Sequence, residues 1–135
     1  MRSAVARRVK GYEHEIEIRD HRLVADEPED TGGTNAGPRP TELLAASLAS
    51  CAAMTIEMYA DRKGWDLGTL EVAVDWPGED SERDATSFDV RIKVPAELSD
   101  EQRERILVIA GKCPVHRALS TSDVEINDTL EPLEA

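Results

Sequence analysis

From Leu43 to Ile56 only Ser47, Ser50 and Thr55 interrupt a run of apolar and small side chains. The run lies inside a helix predicted over roughly 41–63. Pro40 and Thr41 start it, Arg62 and Lys63 complement the negative pole of its dipole, and Gly64 suits the left-handed position after its end, with Trp65 as the following hydrophobic contact. A helix apolar on every side has to be buried on every side. A chain of 135 residues has difficulty covering one of this length. Ala45, Ala46, Ser47, Ala49, Ser50, Ala52 and Ala53 also allow a second backbone to come close. The expectation is a homodimer in which two subunits pack around this helix. The uncharged stretch is too short to cross a bilayer, so no membrane partner is expected.

Short strands are predicted over 3–9, 12–19 and 21–26, with Asp20-His21 as a hairpin turn. The segment 26–40 is crowded with Gly and Pro and reads as a loop. Alternating strands follow at 70–76 and 88–94, joined by a polar loop over 77–86 and ended by Pro95. Ser99 and Gln102 form a capping box that opens a helix running to about Gly111. Cys113-Pro114 starts a further short helix with proline at its favoured first position. Val124 to Leu130 reads as a last strand. This order gives an α+β fold in one domain spanning 1–135.

The net charge of −12 makes the surface repel phosphate backbones, so nucleic-acid binding is disfavoured. The N-terminus has no apolar signal region. A cytoplasmic setting is expected, where a structural disulfide is not normally kept.

Two cysteines are then either inert core residues or working thiols. Cys51 sits mid-helix, with Leu48, Met54 and Met58 at helical spacing around it, a narrow, apolar, sulfur-rich setting. Buried free cysteines commonly act as small hydrophobes, and an apolar site raises a thiol's pKa. A reactive Cys51 therefore needs a cation from outside its helix. Cys113 falls at the N-cap of its helix, where backbone N–H groups and the positive pole would stabilise a thiolate; Lys112, His116 and Arg117 add positive charge. The alternative is that Cys113 only caps the helix. A closed zinc site would need most of the three histidines and two cysteines to converge, and none is expected; no cofactor motif is visible either.

The run Gly37-Pro38-Arg39-Pro40-Thr41-Glu42-Leu43-Leu44-Ala45-Ala46-Ser47-Leu48-Ala49-Ser50-Cys51, with Met54-Thr55 and Tyr59 to Trp65 after it, resembles the OsmC/Ohr family of organic hydroperoxide and osmotically induced proteins. Cys113-Pro114-Val115 resembles the family's second cysteine motif. Ala25-Asp26-Glu27-Pro28 and Gly32-Gly33 match its small OsmC-like branch. The resemblance implies an intertwined homodimer with central cysteine-bearing helices covered by antiparallel sheets. It implies a thiol-dependent peroxidase in which Cys51 attacks an organic hydroperoxide, Cys113 resolves the sulfenic acid, and a dithiol reductant restores both. Leu48, Met54, Met58 and His116 are the candidate binding residues around the two cysteines.

Two departures from the peroxidase pattern are visible. Thr41 stands where those members carry a glutamate, and Glu42, one residue later and about 100° around the helix, is the candidate substitute. The first hairpin lacks a matching arginine; Arg39 is carried as a candidate binding residue beside Arg7, Arg8, Lys10, Arg19 and Arg22. The alternative functions are a non-catalytic small-molecule-binding protein and a redox sensor.

Overall fold

The computed structural model describes residues 2–78, 87–95 and 97–133. The chain divides into two compact units, residues 1–50 with 71–93, and residues 51–70 with 94–135.

In the first unit, β1 (Ala4–Lys10), β2 (Glu13–Ile18) and β3 (His21–Ala25) form an antiparallel meander in that order. Its register pairs Ala6 with Ile16 and Ile16 with Leu23, and a bulge falls between Arg8 and Lys10. The second turn is Arg19-Asp20, with Arg19 at φ 54, rather than the expected Asp20-His21; the ladder already pairs Ile18 with His21. Arg22 bridges Glu15 and Glu17 across strands, and Glu17 also meets Arg7 at 3.7 Å. Such exposed pairs fix register more than they stabilise.

The loop after β3 is organised by one carboxylate. Asp26 is buried, and its Oδ2 accepts from the Thr34 hydroxyl at 2.7 Å and from the Ala36 and Thr34 amides at 3.0 and 3.2 Å. These donors, the Ala36 amide first, hold its pKa down at about 2. The loop then folds back so closely that a Cβ on Gly33 would lie 1.9 Å from the Glu27 carbonyl oxygen. Sequence alone gave a loop here, not its anchor.

Helix α1 (Pro40–Lys63) follows, and β4 (Glu71–Asp75) pairs antiparallel with β5 (Asp89–Lys93) as a separate two-stranded ladder. Most of the expected polar loop between these strands, residues 79–86, lies outside the described residues.

The second unit holds the C-terminal part of α1, then α2 (Asp100–Ala110) and α3 (Pro114–Leu119). The end of α1 is a Schellman turn: the Gly64 amide donates to Asp61 at 3.2 Å and the Trp65 amide to Ala60 at 2.9 Å, with Gly64 at φ +71. The capping box on α2 forms as expected, Ser99 and Gln102 each bonding the other's backbone. The buried apolar side chains of this unit are Ala52, Ile56, Ala60, Leu67, Ile106, Ile109 and Ala110, with Cys113.

One expectation is corrected. Residues 121–133 form no strand; a strand exists only through its ladder, and among the described residues nothing pairs with this segment, which leaves Val124 and Ile126 exposed. Helix α1 is covered by its own chain on one side only, which is compatible with the expectation that a second subunit packs around it. Only the stripe Ala45, Leu48, Ala52, Ile56 and Ala60 is covered, at spacings of three and four, while Met54 and Met58 are 56% and 63% exposed. Being apolar on every side, the sequence could not mark which stripe a single subunit covers. At 24 residues the whole helix is long and apolar enough to cross a membrane by length and composition, although its uncharged stretch Leu43–Ile56 is not.

Candidate functional site

Both cysteines are free thiols and both belong to the second unit. Cys113 is the N-cap of α3, with Pro114 at the first helical position, as its sequence requires. Its carbonyl accepts from Arg117 at 3.0 Å, and its Sγ accepts the His116 amide at 3.3 Å. The sulfur is fully buried. Cys51 is half-buried on α1, and it lies close enough to Cys113 for the two thiols to perturb each other's titration. Two residues 62 positions apart in the chain are thus side by side.

The electrostatics of Cys113 differ from the sequence expectation. The N-cap amides of His116 and Val115 do pull its pKa down, but burial outweighs them, and the neighbouring Cys51 thiol adds to the rise. Cys113 therefore keeps its proton at neutral pH. A buried thiol whose pKa is raised from its ordinary 9.0 stabilises the fold fully below that value. This contribution is lost as pH rises through the native pKa. Urea unfolding should therefore show stability declining above about pH 9, and the decline should be shallower in Cys113→Ala; an identical pH profile would refute the assignment.

The other candidates separate. Leu48 is buried on the covered stripe of α1, whereas Met54 and Met58 lie on its exposed side. About Cys51, at 100° per residue, Leu48 falls near +60° and Met54 and Met58 near −60° and −20°, so the thiol sits where the covered and open faces meet. The expected narrow lining is not closed by this chain alone. His116 contributes its backbone to Cys113, and its carbonyl is capped by Ser120 at 2.6 Å.

Arg39 and Glu42 lie in the first unit. Glu42 accepts the Arg39 amide at 2.8 Å, and Leu43 donates to the Arg39 carbonyl at 3.1 Å, so Glu42 acts as the third-position half of a helix cap. Arg39 is mostly covered and gives its Nε and Nη2 to Glu27 at 3.0 and 2.9 Å, with Thr31 at 3.3 Å. Thr41, at the position of the missing glutamate, has a buried hydroxyl without a hydrogen-bond partner among the described residues. No group of three or more His, Cys, Asp or Glu among the described residues could hold a metal ion.

The OsmC-like protein family model matches residues 33–127, from the anchored loop past both cysteines. The chain belongs to the OsmC-like family. An uncharacterized protein of Haloferax volcanii is 30% identical over 112 residues, covering 81% of this chain and 80% of that protein. A solved osmotic-stress-induced and detoxification-response protein of Psychrobacter arcticus superposes with TM-score 0.77 at 24% identity, covering 87% of each chain. An organic hydroperoxide resistance protein of Vibrio cholerae, with captopril bound in one of its active sites, superposes with TM-score 0.59 at 21% identity, covering 89% of this chain and 85% of that one. The OsmC-like α+β fold expected from the sequence is therefore the fold observed.

One cluster of this OsmC-like chain had no signal in the sequence reading. Tyr59 accepts from Arg105 Nε at 3.0 Å, packs edge-to-face on Trp65 with centroids 5.5 Å apart, and has Lys63 and Arg105 over its ring at 5.7 and 5.4 Å. Lys63 follows Tyr59 by one helical turn, but nothing in the sequence joins Arg105, 46 positions beyond Tyr59, to them.

Proposed function

We propose that this protein is a thiol peroxidase for organic hydroperoxides, with Cys51 as the attacking sulfur and Cys113 as the resolving one. The observation that carries the reading is the pairing of two free thiols brought together from distant parts of the chain, Cys113 buried and Cys51 half-buried and accessible. The family supports it, since several structural relatives are organic hydroperoxide resistance proteins.

The chemistry balances with the groups present and two co-substrates. The Cys51 thiolate attacks the outer oxygen of ROOH; the O–O bond breaks, an S–O bond forms, and the alkoxide takes a proton to leave as ROH. Cys51 is now a sulfenic acid, oxidised by two electrons. The Cys113 sulfur attacks the Cys51 sulfur, the S–O bond breaks, water departs, and a Cys51–Cys113 disulfide forms. Cys113 gives up its proton in this step, to the departing hydroxide. A dithiol reductant then returns both thiols by exchange, becoming a disulfide itself. Trapping of the sulfenic acid by an adjacent thiol protects Cys51 from further oxidation.

Glu42 and Arg39 order the start of the Cys51 helix in this reading, and Met54 and Met58 present apolar surface suited to an alkyl or aryl hydroperoxide. Their exposure also supports a homodimer, in which a second copy covers that side. We place the reaction in the cytoplasm, where thiols are kept reduced, and assign it to 1–135 acting as one domain. No resident cofactor is required.

Stopped-flow mixing of reduced protein with cumene hydroperoxide tests this. Cys51 should oxidise at least a hundredfold faster than a free thiol, and faster with cumene hydroperoxide than with hydrogen peroxide. Oxidation at the rate of a free thiol would leave a binding or sensing role in its place.

A further inference from the structure

Lys63 at the end of α1 and Arg105 on α2 share the ring of Tyr59, and among the described residues neither forms an ion pair with a carboxylate. Lys112 adds a third positive charge felt by Tyr59, and the Arg105 hydrogen bond and the three cations lower the phenol's pKa against the effect of burial. Two of these cations, Lys63 and Arg105, thus face one ring in a chain of net charge −12.

Lys63 and Arg105 line a cleft of about 1010 Å³ whose apolar surface is Tyr59, Trp65 and Val108. Arg105 spends its Nε on the Tyr59 hydroxyl, and no hydrogen bond among the described residues engages its terminal nitrogens. Those two nitrogens match the two oxygens of a carboxylate. Ser99 and Gln102 are occupied with capping α2, while Glu101 and Glu104 also line the cleft and would repel a multiply charged anion.

We propose that this cleft binds a small aromatic monocarboxylate, its ring against Trp65 and Val108 and its carboxylate on Arg105 and Lys63. A neutral aromatic lacks the ion pair. An aliphatic or polyvalent anion lacks the ring contact or meets Glu101 and Glu104. The site uses neither cysteine, so it stands independently of the peroxidase reading.

Trp65 reports occupancy directly, because Trp76 is the only other tryptophan. Full-length Trp76→Phe protein is titrated with 4-nitrobenzoate and, separately, with 4-nitrobenzamide. The carboxylate should quench saturably, the amide at least tenfold more weakly, and Arg105→Gln should raise the Kd for 4-nitrobenzoate at least tenfold. Amide NMR shifts in the otherwise unaltered protein should concentrate in 59–65 and 99–108, which holds if a tryptophan variant fails to fold. Cys51→Ser should leave the Kd unchanged. Linear quenching equal for both probes, or shifts scattered elsewhere, overturns the proposal.

Discussion

A Cys51→Ser protein is expected to lose hydroperoxide turnover by roughly a thousandfold or more, because a serine hydroxyl is a far weaker nucleophile than a cysteine sulfur and nothing else in the pair can attack first. Cys113→Ser should behave differently. Its first oxidation should proceed within a few-fold of the unaltered rate, since the attacking sulfur remains. Turnover should then fail, and Cys51 should accumulate as sulfenic and then sulfinic acid. The contrast assigns the two roles, and it follows from their settings: one sulfur half-buried on a helix, the other fully buried beneath a helix cap. Peroxide consumption and intact-protein mass, measured on both variants, check it. Equal loss of the first oxidation step in both would mean that the pair does not divide the work this way.

The second large effect is structural. Gly33→Ala should destabilise the protein by about 3 kcal/mol, because the new methyl would sit 1.9 Å from the Glu27 carbonyl oxygen, and backbone cannot yield as a side chain can. The displaced segment includes the Gly33 amide bonded to Pro28 at 3.0 Å and the Asn35 amide bonded to Glu27 at 3.0 Å. It also carries the Thr34 and Ala36 amides that satisfy buried Asp26. Gly68→Ala is the control: its φ is +57 but the space around it is open, so only the backbone strain of about 1 kcal/mol applies. Urea denaturation of both proteins separates the contributions. Similar losses in the two would show that the loop gives way without cost.

The sequence carried much of the fold, and for identifiable reasons. Period-two alternation marked β2, β4 and β5, and the Ser99–Gln102 and Cys113-Pro114 pairs marked the starts of α2 and α3, because caps are local chemistry. Gly64 and Trp65 marked the end of α1 in the same way. Less local features were not legible. Residues 124–130 have strand composition, yet a ladder needs a partner edge that composition does not specify. Helix α1 is so uniformly apolar that its covered stripe, Ala45 to Ala60, could not be read from its pattern. The Asp26 anchor looked like one acid among many in a polar loop. For the site, the motifs supplied both cysteines, but the outcome of their electrostatics depended on burial, which sequence position cannot weigh against an N-cap. Arg39 and Glu42 were visible as charges, while their engagement with Glu27 and with the helix start was not.

The most direct test of the central claim is to treat reduced protein with one equivalent of cumene hydroperoxide and map its cysteines by peptide mass spectrometry under non-reducing conditions. The account predicts a single Cys51–Cys113 linkage within one chain and a product two mass units lighter than the dithiol. A sulfenic or sulfinic acid on Cys51 with Cys113 still a free thiol would contradict it, as would a bridge joining two chains.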